Sequence, residues 1–206
     1  MKSIEVTLKI VDDIAGKIRK TSDISIVLIG GYAVIAHGVA RTTCDVDFFL
    51  YPGQIQEDTN GFLKIFKQAV PGNFEIEWVE GSKMIDDPFP YDIIFLKDKS
   101  GEYPRIDFII PRYKWEVEGI KKAKPLEDIP FPVLPKPYLI AMKLKAGGPK
   151  DNLDIIELQP LLSQEEIKET ERLAVLIKRD KNLAALLKIE KSEITHFCVT
   201  HICVMT

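Results

Sequence analysis

Two aspartates stand two residues apart in Asp45-Val46-Asp47, where a polar run, Arg41-Thr42-Thr43-Cys44, enters an apolar one, Phe48-Phe49-Leu50. Side chains alternate along a strand, so Asp45 and Asp47 project from one face, where paired carboxylates can hold hard divalent cations. A third acid, Asp107, lies in Arg105-Ile106-Asp107-Phe108-Ile109-Ile110. A carboxylate among Ile and Phe is costly unless it meets a cation, which makes Asp107 the third candidate ligand. Asp92, in Tyr91-Asp92-Ile93-Ile94-Phe95, competes for that place. Upstream, Gly30-Gly31 ends an apolar run and precedes a short helix, and glycines there let backbone N–H groups approach a phosphate. Arg41, Thr43, Asp45 and Asp47 share one parity, and Cys44, Val46 and Phe48 share the other. A strand that buries the second set, Cys44 included, presents the first to a cleft. Carboxylates that hold two metal ions beside a phosphate-binding turn are suited to phosphoryl transfer.

The elements that must position these groups can be read along the chain. Ile4, Leu8, Val11, Ile14 and Ile18 recur at helical spacing over residues 3–20. Residues 25–29 predict a buried strand, residues 32–39 a short helix and residues 45–51 a second strand closed by Pro52-Gly53. Phe62, Ile65, Phe66 and Ala69 mark a helix over 59–70, ended by Pro71-Gly72. Three further strands are expected at 74–79, 91–96 and 105–110, giving an α/β (α+β) fold with a mixed β-sheet flanked by helices. The C-terminal third changes character. Proline-rich extended chain over 125–137 leads to a short helix ended by Gly147-Gly148, then to a helix capped by Asp151 with Asp154 in its first turn. Ser163 and Glu166 form a capping box for a last helix reaching about Ile189. The expected division is a catalytic domain at 1–124 and a mainly helical region at 125–206.

With 46% apolar and 29% charged residues, the 206-residue chain is an ordinary globular protein. A net charge of −3 and a pI near 5.7 give no global basic field for nucleic acid. Lysines 114, 121, 122, 124, 136, 143, 145 and 150 nonetheless make the middle of the chain locally basic. No run of about 18 apolar residues predicts a membrane span and the N-terminal residues do not read as a signal peptide, so the protein is expected in the cytosol, with no membrane partner. Cys44, Cys198 and Cys203 form no disulfide framework. In the tail, His196, Cys198, His201 and Cys203 suffice in number for a zinc site, but they crowd into eight residues, too short a loop for the usual finger. His37 reads as a packed or capping residue.

The order strand, Gly-Gly, helix, Asp-x-Asp, strand resembles the signature of the nucleotidyltransferase superfamily of the DNA polymerase β type. More closely, GGYAVIAHGVARTTCDVDFFL followed by PKPYLIAMKLKAGGPKDNLDI resembles its AbiEii-like and MenT-like branch of type IV toxins. The resemblance spans roughly residues 25–160 and is most specific from the glycines to Asp47. It implies transfer of a nucleoside monophosphate from an NTP, with release of pyrophosphate. Gly30 and Gly31 would then hold the triphosphate, with Thr43 beside them, and Asp45 and Asp47 would hold two Mg²⁺ ions, or Mn²⁺ in their place. Asp107 would bind the second ion or accept the proton of the attacking hydroxyl. Arg41 would reach the triphosphate as a fork matched to phosphate oxygens. Lys143 would be a further phosphate ligand and Asp154 would orient it. Lys145, about 200° away around the same helix, cannot share that site. The helical C-terminal region would close the nucleotide cleft. The toxin-like branch implies a tRNA 3′ end or a protein hydroxyl as acceptor, and a cognate antitoxin as partner. A small-molecule, aminoglycoside-type acceptor and a non-catalytic nucleotide-binding or partner-binding role remain the alternatives.

Overall fold

The structure is a computed structural model that describes residues 3–52, 59–82, 90–127 and 129–188. The chain forms two compact units, Met1–Pro135 and Lys136–Thr206. The first contains α1 (Ile4–Ile18), β1 (Ile24–Ile29), α2 (Gly30–Ala36), β2 (Asp45–Pro52), α3 (Thr59–Ala69) and β3 (Phe74–Val79). It continues with β4 (Ile93–Asp98), β5 (Arg105–Ile109), α4 (Lys114–Lys122), β6 (Lys124–Pro125) and β7 (Pro132–Val133). Seven strands form one sheet in the order β3-β4-β5-β2-β1-β7-β6. Strand β2 runs antiparallel to β1 and parallel to β5, so the sheet is mixed, as expected.

Alternation along the central strands decides what each face carries. Val46, Phe48, Ile106 and Phe108 point to one side and are fully buried. Phe48 stacks on Phe108 at 5.6 Å between ring centroids, and Phe66 of α3 meets Phe108 edge-on at 5.4 Å. Helix α1 buries Leu8, Val11, Ile14 and Ile18, its apolar stripe, and packs on α3 and β1. Burial of such side chains contributes roughly 1.5–3 kcal/mol each, so the core of this unit lies here. The opposite parity puts Asp45, Asp47 and Asp107 on the other face.

Several boundaries differ from the expectation, each for a local reason. Helix α2 begins at Gly30, not at Tyr32. Strand β4 begins at Ile93, which leaves Asp92 outside the sheet. There the Asp92 carboxylate accepts the Gly81 amide at 2.6 Å and so ties down a loop. Helix α4 was not anticipated, because charged residues outnumber the apolar ones that mark its face, Trp115 and Ile120. Its Glu116 is buried and caps the helix, accepting the amides of Arg112 and Tyr113 at 2.8 and 2.9 Å and the Tyr91 hydroxyl at 2.5 Å. The proline-rich segment adds β6 and β7 beside β1, with Leu28 opposite Val133, so the first unit extends to Pro135 instead of ending at 124.

The second unit comprises α5 (Lys136–Ala146), α6 (Pro149–Leu158) and α7 (Gln164–Leu176), with α5 packed on both others. Ser163 and Glu166 do form the capping box. Helix α6 is capped by Gly148, and Asp151 sits at its third position, where it accepts the Gly148 amide at 3.2 Å. Pro149 explains the earlier start, since its fixed φ suits the first helical position. The last helix does not run unbroken to Ile189. The amides of Lys178 and Arg179 bond back to Val175 and Ala174 at 3.0 and 2.8 Å, with Lys178 at φ 59°, a Schellman closure. A further helical stretch occupies residues 180–188, and the tail with His196, Cys198, His201 and Cys203 lies outside the described residues. Among the described residues no helix is long and apolar enough to cross a membrane.

The turn after β4 is held by Asp98, whose carboxylate accepts the Ser100 hydroxyl at 2.5 Å, the Glu102 amide at 2.8 Å and the Asn73 amide at 3.2 Å. The Ser100 bond leads the set that lowers its pKa to about 2. A lowered carboxylate stabilises the fold above its unfolded pKa, and that stabilisation is lost as pH falls through the folded one. The melting temperature of the native chain should therefore exceed that of Asp98→Asn at neutral pH, and the gap should close as pH falls from about 4 towards about 2. A gap independent of pH would contradict this account.

Candidate active site

The site is assembled by the register of three adjacent strands. Ile29 of β1 lies opposite Asp47 of β2, and Asp47 lies opposite Asp107 of β5. One pleat away, Asp45 lies opposite Arg105. Residues paired in this way share a face and sit about 4.8 Å apart across the sheet. The three aspartates expected to act together are thus brought together, although 60 residues separate Asp47 from Asp107.

Chain leaving β1 passes directly beneath Asp47. Gly30 has φ 65°, and a Cβ built on it would fall inside the Asp47 carboxylate. A Cβ on Gly31 would come within 2.8 Å of Thr43. The two glycines are therefore more than a tight turn: their missing side chains are filled by Asp47 and Thr43. Thr43 in turn donates its hydroxyl to the Asp45 carbonyl at 3.4 Å. Gly30, Gly31, Thr43, Asp45, Asp47 and Asp107 form one continuous patch.

The patch contains a cation that the sequence reading did not single out. Arg105 forks onto both oxygens of Asp107, Nε to Oδ1 at 2.7 Å and Nη2 to Oδ2 at 2.8 Å, and Nη2 also reaches Asp45 Oδ2 at 3.2 Å. The signal was present: Arg105 and Asp107 are two residues apart on one strand and must share a face. The Asp107 side chain is only 9% exposed, against 43% for Asp45 and 47% for Arg105. Burial raises the Asp107 pKa above the ordinary carboxylate value, the Arg105 fork opposes the shift, and the charge of Asp45 adds to it. For Asp107 the loss of hydration prevails. The same fork, outweighing burial, raises the pKa of Arg105.

The other candidates are placed differently. Strand β2 begins at Asp45, so its alternation does not extend to residues 41–44, and Cys44 is exposed instead of buried. Arg41 lies in that connection, with Nε donating to the Thr42 carbonyl at 3.4 Å. His37 Nε2 is 2.8 Å from the Leu134 carbonyl, in keeping with a packing role. In the second unit, Lys143 on α5 is held by Asp151 at 2.9 Å and by Asp154 at 2.8 Å, and the Asp154 side chain is 4% exposed. Lys143 and Asp154 are thus in direct contact.

As donors, the three aspartates fit a hard divalent cation, and the glycine cradle that seats Asp47 fits a rigid ligand. They are not drawn into a closed ligand cluster, however: among the described residues no three His, Cys, Asp or Glu are spaced to hold an ion. Arg105 supplies the positive charge instead.

Two outcomes follow for variants. Gly30→Ala should cost about 2 kcal/mol or more, from a left-handed alanine and the collision with Asp47, measured by chemical unfolding. A raised carboxylate stabilises the fold below its unfolded pKa, and that stabilisation is lost as pH rises through the folded one. Asp107→Asn should therefore gain melting temperature relative to the native chain as pH rises from about 4 to 7. A relative loss over that range would refute the burial argument.

No protein-family model matches the sequence, and no curated protein matches it. Solved structures do show likeness. The antibiotic-resistance factor ANT(2'')-Ia is 12% identical with a TM-score of 0.43, covering 95% of this chain and 98% of that one. An antigenic nucleotidyltransferase-like protein from Paracoccidioides brasiliensis is 17% identical with a TM-score of 0.45, covering 90% of each. The Cid1 poly(U) polymerase is 13% identical with a TM-score of 0.38, covering 70% of this chain and 42% of that one. Likeness at such identities and TM-scores does not carry an activity from one protein to another.

Proposed function

We propose that the chain is a metal-dependent nucleotidyltransferase that moves a nucleoside monophosphate from an NTP to an acceptor hydroxyl, releasing pyrophosphate. The observation that supports this most is the single patch in which Gly30-Gly31, Asp45, Asp47 and Asp107 meet on one sheet face. In this reading Asp45, Asp47 and Asp107 would hold Mg²⁺, which would supply Lewis-acid stabilisation of phosphoryl charge. The amides of Gly30 and Gly31 face the triphosphate, with Thr43 fixing their approach, and Arg41 offers a guanidinium to its oxygens. Asp107, the most buried of the three, would help to bind the second ion or accept the proton of the attacking hydroxyl.

The acceptor divides two readings. The toxin-like one, with a tRNA 3′ end or a protein hydroxyl as acceptor and a cognate antitoxin, rests on the sequence resemblance. A cavity of about 530 Å³ on β3, β4 and β5 favours a small acceptor instead. Its lining sets the exposed carboxylates of Glu75 and Glu77 beside the Phe95 ring, a combination that suits an amine-bearing molecule.

The deciding experiment incubates the protein and Mg²⁺ with each α-labelled NTP and with total RNA, the protein itself, or a panel of amino sugars. Label should enter one acceptor class, and Asp47→Asn should lower the rate by about a hundredfold or more, the consequence of losing several kcal/mol of transition-state stabilisation. Transfer undiminished in Asp47→Asn, or no transfer to any acceptor, would overturn the assignment.

A further inference from the structure

Resting on the reading of the aspartates as metal ligands, one inference goes beyond it. We propose that Arg105 is the resident counter-cation of the site, that a divalent ion reaches Asp107 and Asp45 only by displacing it, and that Arg105 thereby sets the protein's affinity for metal.

Three observations carry this. First, the guanidinium engages both Asp107 oxygens and one of Asp45, at 2.7, 2.8 and 3.2 Å. A bidentate fork is the strongest geometry available to an arginine and a carboxylate. An ion on those oxygens would lie against a like charge, and that repulsion is large in a partly desolvated site. Second, the arrangement is built into the strand. Arg105 precedes Asp107 by two residues and lies opposite Asp45, so the sheet itself returns the guanidinium to these acids. Third, the side chain has somewhere else to go. It is 47% exposed, and its guanidinium carbon sits 5.1 Å from the centre of the Phe95 ring. Phe95 lies opposite Asp107 on β4 and lines the 530 Å³ cavity together with Glu75 and Glu77. A displaced guanidinium can keep the aromatic face and exchange one pair of acids for another.

The released side chain would then stand beside the bound ion with its donors free of Asp107. The device makes acid neutralisation reversible. The protein folds with its carboxylates compensated, and the compensation gives way to an ion of higher charge. A lysine could not replace it in full, since a point charge cannot hold both Asp107 oxygens and Asp45 at once.

The test is Mn²⁺ binding, followed by electron paramagnetic resonance of the free ion, in the native chain, Arg105→Gln, Arg105→Lys and Asp47→Asn. Melting temperatures are recorded in EDTA and in Mn²⁺. Removing a unit charge at this distance should tighten Mn²⁺ binding about tenfold in Arg105→Gln, with a smaller gain in Arg105→Lys. Arg105→Gln should melt lower than the native chain in EDTA and recover more than the native chain does on adding Mn²⁺. If Mn²⁺ binding depends on Asp47 but neither Arg105 variant tightens it, the role given to Arg105 is wrong while the metal site stands. Should no form bind Mn²⁺ at millimolar concentration, the metal reading and this inference fall together. Arg105→Lys keeps the test decisive if Arg105→Gln fails to fold.

Discussion

The pairing of β2 between β1 and β5 is the constraint on which the rest of the molecule depends. Its register sets Asp47 beside Ile29 on one side and beside Asp107 on the other. A slip of β2 by one residue would turn Asp45 and Asp47 into the core and push Val46 and Phe48 out to solvent. The buried face prevents that slip. Phe48 and Phe66 both pack on Phe108 there, and a one-residue slip of β2 would take Phe48 out of that cluster. Precision at the acidic face is thus supplied by packing on the opposite one.

Gathering three carboxylates on a partly buried face opposes folding, and the structure offsets that cost in two ways. Arg105 neutralises Asp107 and Asp45 through short hydrogen bonds, and the backbone at Gly30 leaves room for Asp47. Even so, burial keeps the Asp107 pKa raised. The Lys143 contacts with Asp151 and Asp154 differ in kind, since they join two helices of one unit and satisfy a carboxylate that is nearly buried.

Much of the fold was legible in the residues. Periodicity located α1, β1, β2, α3, β3 and β5 within a residue or two, because each carries an apolar stripe or an alternation that only one secondary structure can bury. It failed where that pattern is thin. Helix α4 is mostly charged, β6 and β7 are two residues each, and α7 stops at a lysine in the left-handed region where a glycine would have been the usual mark. It also failed where alternation was extended past the strand, as at Cys44.

What the sequence determined by itself is the identity and parity of the candidate groups: Asp45 and Asp47 on one face, Asp107 isolated among apolar neighbours, and glycines where a turn needs them. Spacing within one element is local geometry, and local geometry is written in neighbouring residues. Only the tertiary structure decided that Asp107 rather than Asp92 joins the pair, that Thr43 and Asp47 fill the space above the glycines, and that Arg105 bridges two strands. These depend on which strands pair and in what register, a choice made by burial of the opposite face across the whole sheet and by no single stretch of chain.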